Sequence, residues 1–164
     1  MAGYDVAQIC MNGHVANPAS RAYPDPQRKF CARCGAPLVQ RCTACSGEIK
    51  GIYVDINPWH TAYSEPSYRP PSYCESCGAP FPWTERKLQA AAELIEREQS
   101  LTLDEKQAFE TDIKDAMRET PRTPAAAIRI RALLAKVPGA VGSALRDIVV
   151  DVLSEAAKKI ILGP

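Results

Sequence analysis

No stretch of the chain approaches the eighteen or so consecutive apolar residues that cross a bilayer, so a membrane-spanning helix is not expected. The opening residues, MAGYDVAQICMNGHVANPAS, lack a basic segment followed by an apolar one, and a secretion signal is not expected either. Charge of one sign is also lacking: 20 Lys and Arg oppose 19 Asp and Glu, a formal +1 over 164 residues. Such a balance gives the whole molecule no field that would draw in a polyanion. Each half of the chain lacks what the other has, for there is no cysteine after Thr84 and no sustained helical period before it. The reading is therefore two units, residues 1–83 and residues 84–164, each small enough to need help beyond a hydrophobic core.

The first unit holds all seven cysteines and ten of the 14 prolines. Six cysteines form Cys-x-x-Cys pairs, Cys31/Cys34, Cys42/Cys45 and Cys74/Cys77, while Cys10 is followed by His14 in ICMNGH. An odd number of cysteines does not close a disulfide framework, and in a reducing cytoplasm, the expected location, paired thiols are metal ligands. Seven cysteines and His14 make eight ligands, or two tetrahedral sets of four, and closed structural zinc sites take four thiolates or three thiolates and an imidazole. Gly13, Gly35, Gly78 and the Ser46–Gly47 step fall where a knuckle turns back so that its N–H groups point at sulfur. Two zinc ions per chain are expected.

Three pairings are open. Sequential pairing puts Cys10, His14, Cys31 and Cys34 on one ion and Cys42, Cys45, Cys74 and Cys77 on the other. A crossed arrangement would interleave the sets, and a nested one would join Cys31, Cys34, Cys42 and Cys45. Sequential pairing is favoured because the short spacer GAPLVQR leaves little chain for two ribbon strands, at about 3.3 Å per residue. Against these stands the plain reading in which His14 is a solvated loop residue and Cys10 a buried thiol. His60, in NPWH, is the rival ligand, but it lies inside the loop of a set that already has four sulfurs.

A catalytic zinc keeps one position for water or substrate. Here four good ligands serve each ion, and the deaminase pattern is absent because Val15 and Ala16 follow His14. No catalytic residue is assigned and the chain is not expected to be an enzyme; a zinc enzyme is the third reading. The second is a nucleic-acid-binding ribbon, since Arg21, Arg28, Lys29, Arg33 and Arg41 face only Asp25 between positions 21 and 41. Seven thiolates and two zinc ions nevertheless bring the formal +1 of residues 1–83 to −2, and the preferred reading of the patch is a solvated rim that offsets the thiolate charge.

The first reading is a non-catalytic protein-interaction or adaptor module. Its candidate surface is the insert Tyr53 to Tyr73, where Tyr53, Trp59, Tyr63, Tyr68 and Tyr73 stand among four prolines. Such rings give large contact area with a polar handle, and a long loop of this kind is commonly either functional or disordered. The same rings could instead pack on the ribbons as an auxiliary core.

Residues 84–164 predict about four helices. The first starts with Thr84 as cap and runs to about Glu98. The second opens on TLDE, a capping box of Thr102 and Glu105, and buries Phe109, Ile113, Ala116 and Met117. The third has Thr123 as cap and Pro124 at its first position, and runs to about Lys136. A single last helix follows VPG, with Val141, Leu145, Ile148, Val149, Val152, Leu153, Ala156, Ile160 and Ile161 on one face. That face is a bundle core, with self-association into a homo-oligomer or a membrane surface as alternatives; its mixed-sign polar side counts against membranes.

The stretches YDVAQICMNGHVANP, KFCARCGAPLVQRCTACSGEIKG, PPSYCESCGAPFPWTE and TPRTPAAAIRIRALL, taken together and in order, resemble a bacterial family of zinc-ribbon proteins catalogued as a domain of unknown function. The resemblance spans nearly the whole chain. It implies zinc and the Cys10/His14 pair, but no reaction and no partner. The expected fold is thus α+β: a tandem, rubredoxin-like double zinc ribbon followed by a helical bundle.

Overall fold

The computed structural model describes residues 3–54 and 68–163. It is a mixed α/β chain with two small sheets and five helices among the described residues. Contacts divide it into two compact units, Met1–Arg86 and Lys87–Pro164.

In the first unit, β1 (Gly3–Val6) pairs antiparallel with β5 (Lys50–Val54), in the register Tyr4 opposite Tyr53 and Val6 opposite Lys50. A second sheet has the order β3 (Val15–Asn17), β2 (Gln8–Cys10), β4 (Leu38–Val39). These strands are too short to stand alone, and what they enclose is small: Ala7, Ile9, Cys42, Ile49, Cys74, Phe81 and Trp83 form one buried cluster. Phe81 and Trp83 stack with ring centroids 4.6 Å apart, and the indole N–H donates to the Pro71 carbonyl at 2.9 Å. Two of the candidate ligands, Cys42 and Cys74, are thus part of the core. Gly51 is required by packing, because a Cβ there would lie 2.2 Å from the Pro18 carbonyl oxygen.

The helices are α1 (Pro82–Arg97), α2 (Leu103–Ala116), α3 (Thr123–Leu134), α4 (Gly139–Val152) and α5 (Glu155–Leu162). Within the second unit α3 is central and packs against α2, α4 and α5. The capping box at Thr102 and Glu105 is present, and Phe109, Ile113, Ala116 and Met117 are buried. Asp112 is buried too, and Arg129 grips it through Nε at 2.9 Å and Nη2 at 2.6 Å.

Three expectations are corrected. The last helix is two helices, since Leu153 turns extended (ψ 150°) and Ser154 caps α5 by accepting from the Ala157 N–H. Ser154 is itself held by its N–H and hydroxyl, both donating to the Ala116 carbonyl, at 3.1 and 2.9 Å. The break rotates the face after it, so Ala157 rather than Ala156 is buried, and Val141 at the other end is exposed. Thr84 does not cap α1, which already begins at Pro82; its hydroxyl donates to the Ser72 carbonyl at 2.9 Å. Thr123 is the first residue of α3 rather than its cap, and its buried hydroxyl accepts from the Thr120 N–H at 2.9 Å. Among the described residues no helix is long and apolar enough to cross a membrane.

Candidate metal centres

Three turns of one design carry the Cys-x-x-Cys pairs. The N–H of Gly35, Ser46 and Gly78 donates to the carbonyl of Cys31, Cys42 and Cys74 at 2.8, 2.9 and 2.8 Å. The N–H of each of those cysteines donates onward to Ala36, Gly47 and Ala79 at 2.8, 2.7 and 2.9 Å. A single antiparallel bridge closes each turn: Phe30 with Pro37, Arg41 with Glu48, Tyr73 with Pro80. The closing residue must turn left-handed, with φ of 68° at Gly35, 72° at Gly78 and 63° at Ser46, the one non-glycine of the three. The fourth turn, Cys10 to His14, has Gly13 at φ 86°. Its tightness has a second cause, since a Cβ on Gly13 would lie 3.0 Å from the Trp83 Cβ.

These turns bring the eight predicted ligands into two groups. Cys10, His14, Cys31 and Cys34 form one, and Cys42, Cys45, Cys74 and Cys77 the other, with the ligand atoms of each within 4.8 Å of one another. This is the sequential arrangement, neither crossed nor nested. Edges within the groups measure 3.8 Å for Cys10–Cys34, 3.6 Å for Cys31 Sγ to His14 Nδ1, 3.9 Å for Cys42–Cys77 and 3.8 Å for Cys45–Cys74. Four sulfurs each about 2.3 Å from a zinc ion form a tetrahedron with edges of about 3.8 Å, and an imidazole nitrogen at about 2.0 Å shortens its edge to about 3.5 Å. The separations therefore fit zinc in both groups. They do not fit disulfides, whose sulfurs lie about 2.0 Å apart, and all seven cysteines are free.

Ionisation is unequal within each group. The Cys34 thiol is lowered to about 6, chiefly by the Ala36 N–H and then by the Asn12 side-chain amide; Cys74 is lowered to about 6, chiefly by the Ser76 N–H. Cys10 is raised, above all by burial. Cys77 is pushed up to about 12: the Ala79 N–H pulls it down, but Cys45, burial, Cys74 and Cys42 together outweigh it. Thiols packed this closely resist gathering several negative charges. A divalent cation removes the conflict, because it deprotonates coordinated thiols outright.

Other predicted residues fall differently. Trp59, His60 and Tyr63 lie outside the described residues. Tyr53 is exposed, and its ring meets that of Tyr4 edge-on at 5.5 Å, with the Lys50 ammonium 4.2 Å over Tyr4. Tyr68 instead packs on the buried cluster and donates to the Lys50 carbonyl at 2.5 Å; burial and then the charge of Glu75 push its hydroxyl up to about 12. Tyr73 is in the third bridge. Three of the five basic residues of the patch meet carboxylates. Arg21 binds both oxygens of Glu48, at 2.8 and 2.7 Å, Arg41 reaches the same residue at 3.4 Å, and Arg28 pairs with Asp25 at 3.3 Å. Glu48 lies outside positions 21–41, so its pairing with Arg21 and Arg41 is not visible in that stretch alone. Asn12 was also missed: it lies inside a knuckle, and its amide donates to Cys34 Sγ at 3.4 Å.

Fold and site together define a small mixed α/β protein with two knuckle-built, four-donor groups of a kind that can hold zinc. The chain belongs to the bacterial family described as "uncharacterized protein conserved in bacteria (DUF2321)", whose model matches residues 3–161. No curated protein and no solved structure matches it.

Proposed function

We propose that two zinc ions, one per group, hold the four turns as a tandem, rubredoxin-like zinc ribbon, and that the chain serves as a non-catalytic, protein-binding adaptor in a reducing cytoplasm. The observation that carries this reading is the agreement of the sulfur–sulfur edges, 3.8 to 3.9 Å, with the edge of a zinc–thiolate tetrahedron. Cys10, His14, Cys31 and Cys34 would hold one ion and Cys42, Cys45, Cys74 and Cys77 the other, and the metal supplies cross-linking in place of a large apolar core. Four protein donors fill a tetrahedral shell, which weighs against a catalytic ion. The exposed, edge-on Tyr4–Tyr53 pair supports a protein-binding surface, since aromatic rings are enriched in such patches. The engagement of Arg21, Arg28 and Arg41 with Glu48 and Asp25 weighs against phosphate binding.

Ligand substitution followed by metal counting tests the reading. Cys10→Ala and Cys34→Ala should each remove the same ion, and Cys42→Ala the other. Loss of one shared ion from Cys10→Ala and Cys42→Ala would contradict it. Titration with duplex DNA and RNA separates the second reading, for binding that falls steeply with salt would favour a nucleic-acid ribbon.

A further inference from the structure

Beyond the imidazole of His14, the two groups differ in a side chain beside the ligands. At the second position after the leading cysteine, Asn12 and Ala44 do the same backbone work, their N–H groups pointing at Cys10 and Cys42 Sγ, both at 3.4 Å. Ala44 has no further donor. Asn12 has, and its amide reaches across the first group to Cys34 Sγ at 3.4 Å, a sulfur 22 positions away. Cys34 is the exposed cysteine of its group, while Cys10 and Cys31 are buried. An electrophile from solvent therefore meets Cys34 first.

The orientation of Asn12 is set from outside the knuckle. Arg86, one turn into α1, donates through Nη1 to Asn12 Oδ1. A guanidinium has donors and no acceptor, so it holds the amide oxygen and leaves the NH₂ facing sulfur. The backbone beneath is fixed as well, because Gly13 sits against Trp83 at the start of the same helix. We propose that Asn12 and Arg86 are a positioning pair for the first metal site: Arg86 locks the Asn12 amide onto Cys34, and that hydrogen bond makes the exposed thiolate a poorer nucleophile and slows loss of its metal. This rests on the zinc reading of the group. A hydrogen bond to a coordinated thiolate draws charge from sulfur, and partners of this kind typically change metal affinity by about 10- to 100-fold.

Asn12→Asp is the decisive variant. It keeps the shape, the backbone N–H to Cys10 and an oxygen for Arg86, but its side chain has no N–H to give Cys34 and puts a charge beside sulfur. The zinc-loaded full chain is treated with iodoacetamide, which forms a sulfur–carbon bond with loss of iodide. Freed zinc is followed with a chromophoric chelator, and alkylated cysteines are located by mass spectrometry. The expected result is alkylation of Cys34 and release of one zinc about tenfold faster than in the unsubstituted chain, with Cys45 and Cys77 unchanged as the internal reference. Arg86→Leu should act in the same direction more weakly, and Arg86→Lys should restore part of the protection. Unchanged Cys34 kinetics, or equal acceleration at Cys45 and Cys77, would overturn the proposal. Should Asn12→Asp fail to load the first site, Arg86→Leu decides alone: faster Cys34 alkylation supports the pair and an unchanged rate overturns it. Failure of the zinc reading shows separately, as fewer than two zinc ions on the unsubstituted chain.

Discussion

The sulfurs of Cys42 and Cys77 lie 3.9 Å apart although 35 positions separate them. Two turns of like design are thus held face to face across a long loop, and a Cβ on Gly47 would meet the Ser76 hydroxyl at 2.8 Å. Closing so long a loop costs chain entropy that few apolar contacts offset here. Cys77→Ser should therefore release one zinc and lower the unfolding midpoint of the first unit, with the other ion retained. Loss of both ions, seen by metal analysis of the purified variant, would contradict two independent sets.

Ser46 occupies the left-handed position that glycine holds in the sister turns, at φ 63°. An L-residue there costs roughly 1 kcal/mol. Ser46→Gly should raise the stability of the zinc-loaded chain by about 0.5–1 kcal/mol in urea unfolding. A drop in stability would mean that the serine side chain contributes something its backbone conformation does not show.

Asp112 is buried while its partner Arg129 is half exposed, so the two ends of this pair are not equivalent. Arg129→Leu strands a buried carboxylate and should cost about 2 kcal/mol, less than a fully buried pair because solvent reaches the guanidinium side. Adding Asp112→Leu to Arg129→Leu should recover part of that loss, and a double variant worse than the single one would contradict the account.

Glu105 is held down to about 2, first by its hydrogen bond from Lys136 and then by the Thr102 N–H. A carboxyl depressed on folding stabilises the fold above its ordinary value of 4.5, and that contribution is lost as pH falls from there toward about 2. The stability difference between the unsubstituted chain and Glu105→Gln, read from the helical circular dichroism signal in urea, should be full at neutral pH and fade through that window. A difference independent of pH would assign the loss to the capping geometry alone.

The grouping of the eight candidate ligands rests on turns that were legible in the sequence because a knuckle is local: the cysteine spacing and the glycine after it are read within a few residues. The capping box at Thr102 was legible for the same reason. What escaped were contacts between distant positions and choices between two local signals. Arg86 meets Asn12 across 74 positions, and Glu48 answers Arg21 across 27, neither marked by any spacing. The α4–α5 break did carry a signal, the Ser154–Glu155 start, but the aliphatic period runs on through Leu153 and hid it. Thr84 looked like a cap after a proline, whereas packing of Phe81 and Trp83 starts α1 earlier and turns the threonine inward.

The most direct test of the central claim is the zinc content of the purified chain by native mass spectrometry, followed by the same measurement on Cys74→Ser. Two zinc ions on the unsubstituted chain, one on the variant, and no iron–sulfur absorbance are the results the account predicts. A single zinc ion, or two that leave together when Cys74 is replaced, would contradict the division of eight ligands into two closed sets.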